Sequence, residues 1–384
     1  MNTGMNRRGF IKNSMKAGSI LAVPSFMALQ PSQEKPALPK RAFGKTGVEL
    51  PLLSMGVMRA ENPNLVRAAQ ESGIVHFDTA HGYQQGRNEE MLGKVFKGTP
   101  RGSLFISTKL KPGGTPASLA EQFELSLKRL QMDYVDILYL HGPSEMSVVM
   151  NGEYLELFKK FRVAGKAKNL GISTHGNEAQ MIHAAVDSGV YNVVLTSYNF
   201  KQHHTEAMAE ALERAHNAGF GLVAMKTMMG GFMDSARTQP VDAGAALKWA
   251  WSNPHIHTAI PGFTSFDQLE VCLKAVRDLN MTESEKKFLA SVEPLEGLYC
   301  QGCRECVPQC PKHLPIPEMM RAFMYSYGYK APLLARETLD ELDLPGDPCS
   351  DCAHCVVSCA SGFHIAGKIS DINRVRRVPV DFLV

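Results

Sequence analysis

Eight of the nine cysteines fall between Cys300 and Cys359, and none precedes Cys272. Cysteines that merely fill a core scatter along a chain, so this crowding points to metal binding or cross-linking. Spacing separates the two. Cys300, Cys303, Cys306 and Cys310 form a C-x2-C-x2-C-x3-C run followed by Pro311. Cys349, Cys352, Cys355 and Cys359 repeat the run, with Ala360 in place of the proline. Three thiolates at i, i+3 and i+6 wrap one face of a 4Fe–4S cubane, while the fourth, beyond a turn, reaches elsewhere. Structural zinc prefers paired C-x2-C knuckles, so two complete runs argue for two 4Fe–4S clusters. Cys272, outside both runs, reads as a small buried helix residue.

A second reactive set lies upstream. Asp78, Lys109 and His141 end three successive apolar runs, and Tyr83 lies in the loop after the first of these. An acid, a phenol, an ammonium and an imidazole are what carbonyl reduction needs. The alkoxide formed at the carbonyl must be protonated, and a phenol with a pKa of about 10 is a sluggish donor. A neighbouring ammonium lowers that pKa, and a carboxylate keeps the ammonium charged and placed. Histidine orients the carbonyl. Such proton transfer is typically worth about 10² to 10⁴ in rate.

These residues need a scaffold that brings them together. Strand-like runs occur at Leu52–Met58, Ile74–Asp78, Leu104–Lys109, Val135–His141, Ala167–Ser173, Val193–Tyr198, Leu222–Met225 and His257–Pro261. Helical patterns alternate with them. In Ser118–Leu130, for example, Leu119, Phe123, Leu127 and Leu130 recur at helical spacing. Glu178–Ser188 and Glu206–Ala218 behave alike. Eight strand–helix units predict an α/β fold, a (β/α)₈ TIM barrel, with chemistry at the C-terminal strand ends. A doubly wound open sheet is the alternative, and no glycine-rich dinucleotide fingerprint follows the first strand to favour it.

The segment Gly73-Ile74-Val75-His76-Phe77-Asp78-Thr79-Ala80, then Tyr83 and Asn88-Glu89-Glu90-Met91-Leu92-Gly93, resembles the aldo-keto reductase signature. So do Ile106-Ser107-Thr108-Lys109 and Asp133 to His141. The resemblance runs from about Arg41 to Asn280 and implies Asp78, Tyr83, Lys109 and His141 as a catalytic tetrad, with Tyr83 the general acid. It also implies an NAD(P)(H) site using Ser173, Thr174, Tyr198, Asn199, Lys226 and Gly262, the first two near the carboxamide. Several family positions depart. Leu195 replaces a glutamine, and Met225-Lys226-Thr227-Met228 offers no aromatic to stack on a nicotinamide. Gln268 stands where a cation would grip a 2′-phosphate, and Val271 and Cys272 where an acid and an amide would hold the adenine. The Met-Lys segment is similar to an iron–sulfur-bearing branch of the superfamily. The cysteine runs resemble two-cluster ferredoxins, in which the fourth cysteine of each run binds the other cluster. That implies Cys300, Cys303, Cys306 and Cys359 on one cluster and Cys349, Cys352, Cys355 and Cys310 on the second. Pairing within each run is the alternative.

The first residues resemble a twin-arginine export signal. Arg7 and Arg8 precede Phe10-Ile11-Lys12 and a short apolar stretch from Ala17 to Leu29 that Pro24 interrupts. A stretch of about 13 residues is too short to span a bilayer. Ala28-Leu29-Gln30 is a poor cleavage site, so an uncleaved signal anchoring the chain is the alternative. The division expected is a signal over 1–30, a linker over 31–40, the barrel over 41–285 and an α-rich, ferredoxin-type module over 290–384, in the periplasm. The net charge of +3 includes four cations of the signal and leaves about −1 without them, so no nucleic-acid partner is expected. The leading expectation is an exported oxidoreductase interconverting a small-molecule carbonyl and an alcohol, with two clusters exchanging electrons with a redox partner protein. Two others stand beside it. One is an NAD(P)H-dependent reductase with purely structural clusters, its dinucleotide tightly bound. The other is an electron-transfer or docking protein with a retired barrel. The loops 142–152 and 227–239 are expected to set the substrate.

Overall fold

The computed structural model describes residues 37–383, apart from 203, 235, 292–298 and 353. The expected export signal and most of the linker lie outside the described residues.

A short antiparallel hairpin, β1 (Lys40–Ala42) and β2 (Glu49–Pro51), comes first. Eight parallel strands follow in chain order: β3 (Met55–Gly56), β4 (His76–Asp78), β5 (Phe105–Leu110), β6 (Val135–His141), β7 (Ala167–Thr174), β8 (Val193–Ser197), β9 (Gly221–Met225) and β10 (Thr258–Ala259). The last strand meets the first. Ser54 N donates to Ala259 O (2.9 Å), Ala259 N to Leu52 O (2.8 Å) and Gly56 N to Pro261 O (3.1 Å). The sheet therefore closes into the expected barrel, and each of the eight apolar runs contributes a strand.

The hairpin fills the base. Phe43 is fully buried and packs with Leu50, Phe105, Ile137, Tyr139, Val193 and Val223 in the barrel interior. Gly221 has no Cβ because one would meet the Phe43 ring at 2.5 Å. Outer helices bury one face against the strands. Pro116–Leu130 begins with Thr115 Oγ1 accepting from Ser118 N (3.2 Å) and buries Leu119, Phe123, Leu127 and Leu130, as its periodicity requires.

Residues beyond Tyr299 form an α-rich module at the C-terminal mouth of the barrel. Helices Ile316–Phe323, Pro332–Asp340 and Ile365–Asn373 bury Met319, Met320, Leu339, Ile369 and Ile372 together. Met229 and Met233, from the loop after β9, complete that core, at 2% and 6% exposure. Two methionines of the loop 227–239 thus pack their flexible side chains against the module. Polar contacts complete the seam. Arg59 donates to Tyr329 O (3.0 Å), Gln85 Nε2 to Glu337 Oε1 (2.9 Å), and Lys111 pairs with Glu341. Ala37–Val384 is thus one compact unit. Among the described residues no helix is long and apolar enough to cross a membrane.

Candidate active site

Strand alternation places the first four residues. The β4–β5 register sets Asp78 opposite Ser107, and Lys109 follows on the same face, one pleat on. Ser107 Oγ donates to Asp78 Oδ2 (2.6 Å). Lys109 Nζ donates to Asp78 Oδ1 and to Thr79 O (2.6 Å), and lies 3.5 Å from Tyr83 Oη. His141, at the end of β6, meets the Tyr83 ring edge-on with centroids 5.8 Å apart. Thr108, pointing the other way, donates to Glu89 Oε1 (2.7 Å) behind the strand. Tyr83 opens a tight turn in which Gln84 and Gln85 both take positive φ. That costly conformation is held by Gln84 Nε2 donating to Met58 O (3.1 Å) on the barrel and Gln85 bonding the module. The four side chains expected together are therefore together.

Their ionisation differs from the expectation in one respect. Burial, then the Asp78 charge, pushes the Tyr83 phenol well above its ordinary value, with Arg321 opposing. The lowering expected from Lys109 is outweighed first by burial and then by the Asp78 charge. Tyr83 is a protonated donor at neutral pH. Burial, then the Lys109 charge, holds His141 well below the ordinary imidazole range, so its ring is neutral. Burial raises Asp78 and lowers Lys109, and each opposes the other's shift by attraction and hydrogen bonding.

The module supplies the other wall. A cleft of about 20 Å³ is lined by Gly142, Ser144, His175 and Lys226 from the barrel and by Tyr299, Cys300, Gly302 and Arg321 from the module, among others. Arg321 Nη1 lies 3.1 and 3.0 Å from the two ring nitrogens of His175. Burial, then Arg321, pushes Lys226 down to about 7, with Glu178 and Cys300 opposing. Arg321, His175 and Tyr299 were missed in the sequence. The available signal was an arginine inside the otherwise apolar Met319-Met320-Arg321-Ala322-Phe323.

The residues expected to hold a dinucleotide are arranged differently. Ser173 sits beside His141 in the β6–β7 register. Thr174 Oγ1 is committed to Pro143 O (2.8 Å) and Gly176 O (3.1 Å). Tyr198 stacks on Trp249 (4.8 Å) and its hydroxyl accepts from Asn253 Nδ2 (3.0 Å). Asn199 Oδ1 accepts from Lys201 N (3.1 Å). Gly262 closes against the Gly56 carbonyl, and Gln268 Oε1 accepts from Thr264 N (2.8 Å). Tyr299 and Cys300 stand at Lys226 in the barrel mouth. Thr174 and Tyr198 thus have polar partners within the protein, while Asn199 Nδ2 is buried with no partner among the described residues.

The cysteines do fit iron–sulfur clusters. All eight are free thiols. Cys300, Cys303 and Cys306 each feel the charge of Cys359, while Cys349 feels Cys352, Cys355 and Cys310. Burial pushes the Cys300 thiol up to about 12, so an iron centre is what would hold it as thiolate. Cys352 and Cys355 are exposed, whereas Cys306 and Cys310 are buried.

Residues 53–245 match the Aldo/keto reductase family, and residues 299–365 match the 4Fe-4S dicluster domain. L-galactose dehydrogenase of Arabidopsis thaliana is 25% identical over 300 residues, covering 66% of this chain and 93% of that protein. Glyoxal reductase of Bacillus subtilis (strain 168) is 37% identical over 135 residues, covering 33% of this chain and 46% of that protein. The chain spans only between 36% and 47% of the first curated relatives it matches. An aldo-keto reductase of Bacillus halodurans in its holo form superposes with a TM-score of 0.57 at 21% identity, covering 70% of this chain and 98% of that one. An aldo-keto reductase of Klebsiella pneumoniae in complex with NADPH gives 0.55 at 21% identity, covering 67% and 95%. At such identity the likeness speaks for the barrel fold.

Proposed function

The chain belongs to the aldo/keto reductase family, and from that premise we propose that it is an exported oxidoreductase interconverting a carbonyl and an alcohol. Two 4Fe–4S clusters exchange its electrons with a redox partner protein. The observation that carries the reading is the module's position. Tyr299 and Cys300 line the same cleft as Lys226 and His175, so a cluster ligand stands within the barrel mouth.

Tyr83 donates the proton to the oxygen of the reduced carbonyl and takes it back in the other direction. The neutral His141 orients that oxygen. Lys109, fixed by Asp78 and Thr79, supplies positive charge beside the developing alkoxide. Cys300, Cys303, Cys306 and Cys359 would hold one cluster and Cys349, Cys352, Cys355 and Cys310 the other. When bound, the clusters would supply one electron each; a carbonyl that takes up two electrons also takes up two protons, one on oxygen from Tyr83 and one on carbon from water.

Export is supported by Arg7 and Arg8 before a short apolar stretch, a signal whose route carries folded proteins with clusters already built. Replacing both arginines by lysine should leave the protein in the cytoplasm; unchanged periplasmic delivery would remove the export claim. Anaerobic protein should contain about eight iron and eight sulfide per chain, the content of two cubanes. Four of each would leave one cluster only.

A further inference from the structure

Among the described residues, two cations in the mouth form no salt bridge with a carboxylate. Arg321 reaches the cleft from the module's first helix, and its contact there is the His175 ring. Lys226 Nζ has no hydrogen-bond acceptor among the described residues; its recorded neighbour is the Tyr299 ring, 5.8 Å away. The nearby acids form no salt bridge with either cation among the described residues, although the Glu178 carboxylate, buried without a hydrogen bond, opposes the lowering of Lys226. Glu318, in the cleft wall, pairs with Arg304 at 2.9 Å. Glu178 lies 3.2 Å from His204 Nε2. His175 is held neutral by burial and by Lys226 and Arg321, and does not offset them. Half-buried charges without partners are costly, and here they line a cleft whose Gly142, Gly176 and Gly302 leave backbone bare.

Arg321 lies close to the reacting end: it contacts the His175 ring, that ring stands beside Gly142, and Gly142 follows His141. The guanidinium is permanently charged, and its planar fork matches a carboxylate bidentately. We propose that the substrate is a short oxo acid or hydroxy acid whose carboxylate is held by Arg321, with Lys226 as second donor. The proposal rests on Tyr83 and His141 marking the reacting end. It makes the iron–sulfur module part of substrate recognition: without it the barrel mouth lacks its anion-binding residue.

Two other anions could meet these cations, the cluster on Cys300 and a dinucleotide phosphate, and the test separates them. Cluster-loaded, anaerobic full-length protein is titrated calorimetrically with glyoxylate, pyruvate, 2-oxoglutarate and glucuronate, each beside its methyl ester, and with NADPH. At least one acid should bind ten-fold or more tighter than its ester. Arg321→Gln should abolish that preference, a loss on the order of 10- to 100-fold, and Arg321→Lys should restore part of it. Iron content and Tm of the variants should match the parent. No acid-over-ester preference in the parent, or a preference that survives Arg321→Gln, overturns the proposal. So does a variant that shifts a cluster potential but leaves acid binding intact, or one that loses only NADPH binding. Tyr83→Phe distinguishes the underlying reading: it should keep acid binding and lose turnover. Full turnover in Tyr83→Phe removes the tetrad reading and leaves the Arg321 site standing.

Discussion

The tetrad's chemistry rests on a few buried charges, and single substitutions read them. Tyr83→Phe removes the proton donor without changing the ring, so kcat should fall about 10² to 10⁴-fold with the fold intact. Loss of less than ten-fold would mean that another group donates. Lys109→Met leaves the Asp78 carboxylate buried beside Ser107 alone; breaking such a pair costs about 3 to 5 kcal/mol, measurable by urea unfolding. Because Tyr83 is raised and His141 lowered, neither titrates near neutrality. At saturating substrate kcat should be flat across pH 6 to 8 and fall only in alkali, as the phenol loses its proton, whereas kcat/KM should decline as Lys226 loses its proton at about 7. A kcat limb near 6.5 would place a charged imidazole in the reaction. His76 carries a stability prediction. Burial, then Lys109, depresses it to about 3, and it bridges Ser54 (3.1 Å) and Ser107 (3.0 Å). The folded state excludes a proton that the unfolded chain takes up below about 6.5. Stability is therefore complete above that pH and is lost as pH falls toward 3, by up to about 1.4 kcal/mol per pH unit. His76→Asn should flatten the decline between pH 7 and 5.5; an unchanged slope would assign it to other groups.

At the scale of elements, most of the barrel was legible. Buried parallel strands are continuous apolar runs, and β6 occupies Val135–His141 as the sequence predicts. β3 and β10 shrink to two residues because only their centres pair regularly at the closing seam. The hairpin was not legible: three-residue strands are too short to show a period of two. Nor was the loop after β9, whose methionines and glycines fit a substrate wall as well as the docking surface they form. The cluster of Asp78, Tyr83, Lys109 and His141 was legible because each residue ends a strand or follows one; Arg321 was not, because only the module's docking brings it to the mouth. Helix packing leaves a sharp test. Gly93, on helix Arg87–Val95, would place a Cβ 2.4 Å from Arg129 O and 2.9 Å from the Leu130 backbone. Gly93→Ala must push apart two helices and should cost about 1 to 3 kcal/mol. A variant as stable as the parent in urea would show that this contact yields freely.

At the scale of the whole molecule, barrel and module form one functional surface. The module's core includes barrel methionines, and the barrel's mouth includes module residues. Loss of the clusters should therefore loosen both, since metal-dependent modules draw folding energy from their ligands. Iron chelation should raise hydrogen exchange in 226–233 as well as in 299–383, while the hairpin and β5–β7 stay protected. On the proposed function, the module takes the place of a dissociable dinucleotide beside Tyr83 and His141. The most direct measurement is anaerobic titration of the cluster-loaded chain with NADPH and NADH, following nicotinamide fluorescence and cluster absorbance together. The account predicts no saturable fluorescence change, and cluster bleaching when the alcohol substrate is added alone. Stoichiometric dinucleotide binding, with turnover that leaves cluster absorbance unchanged, would contradict it.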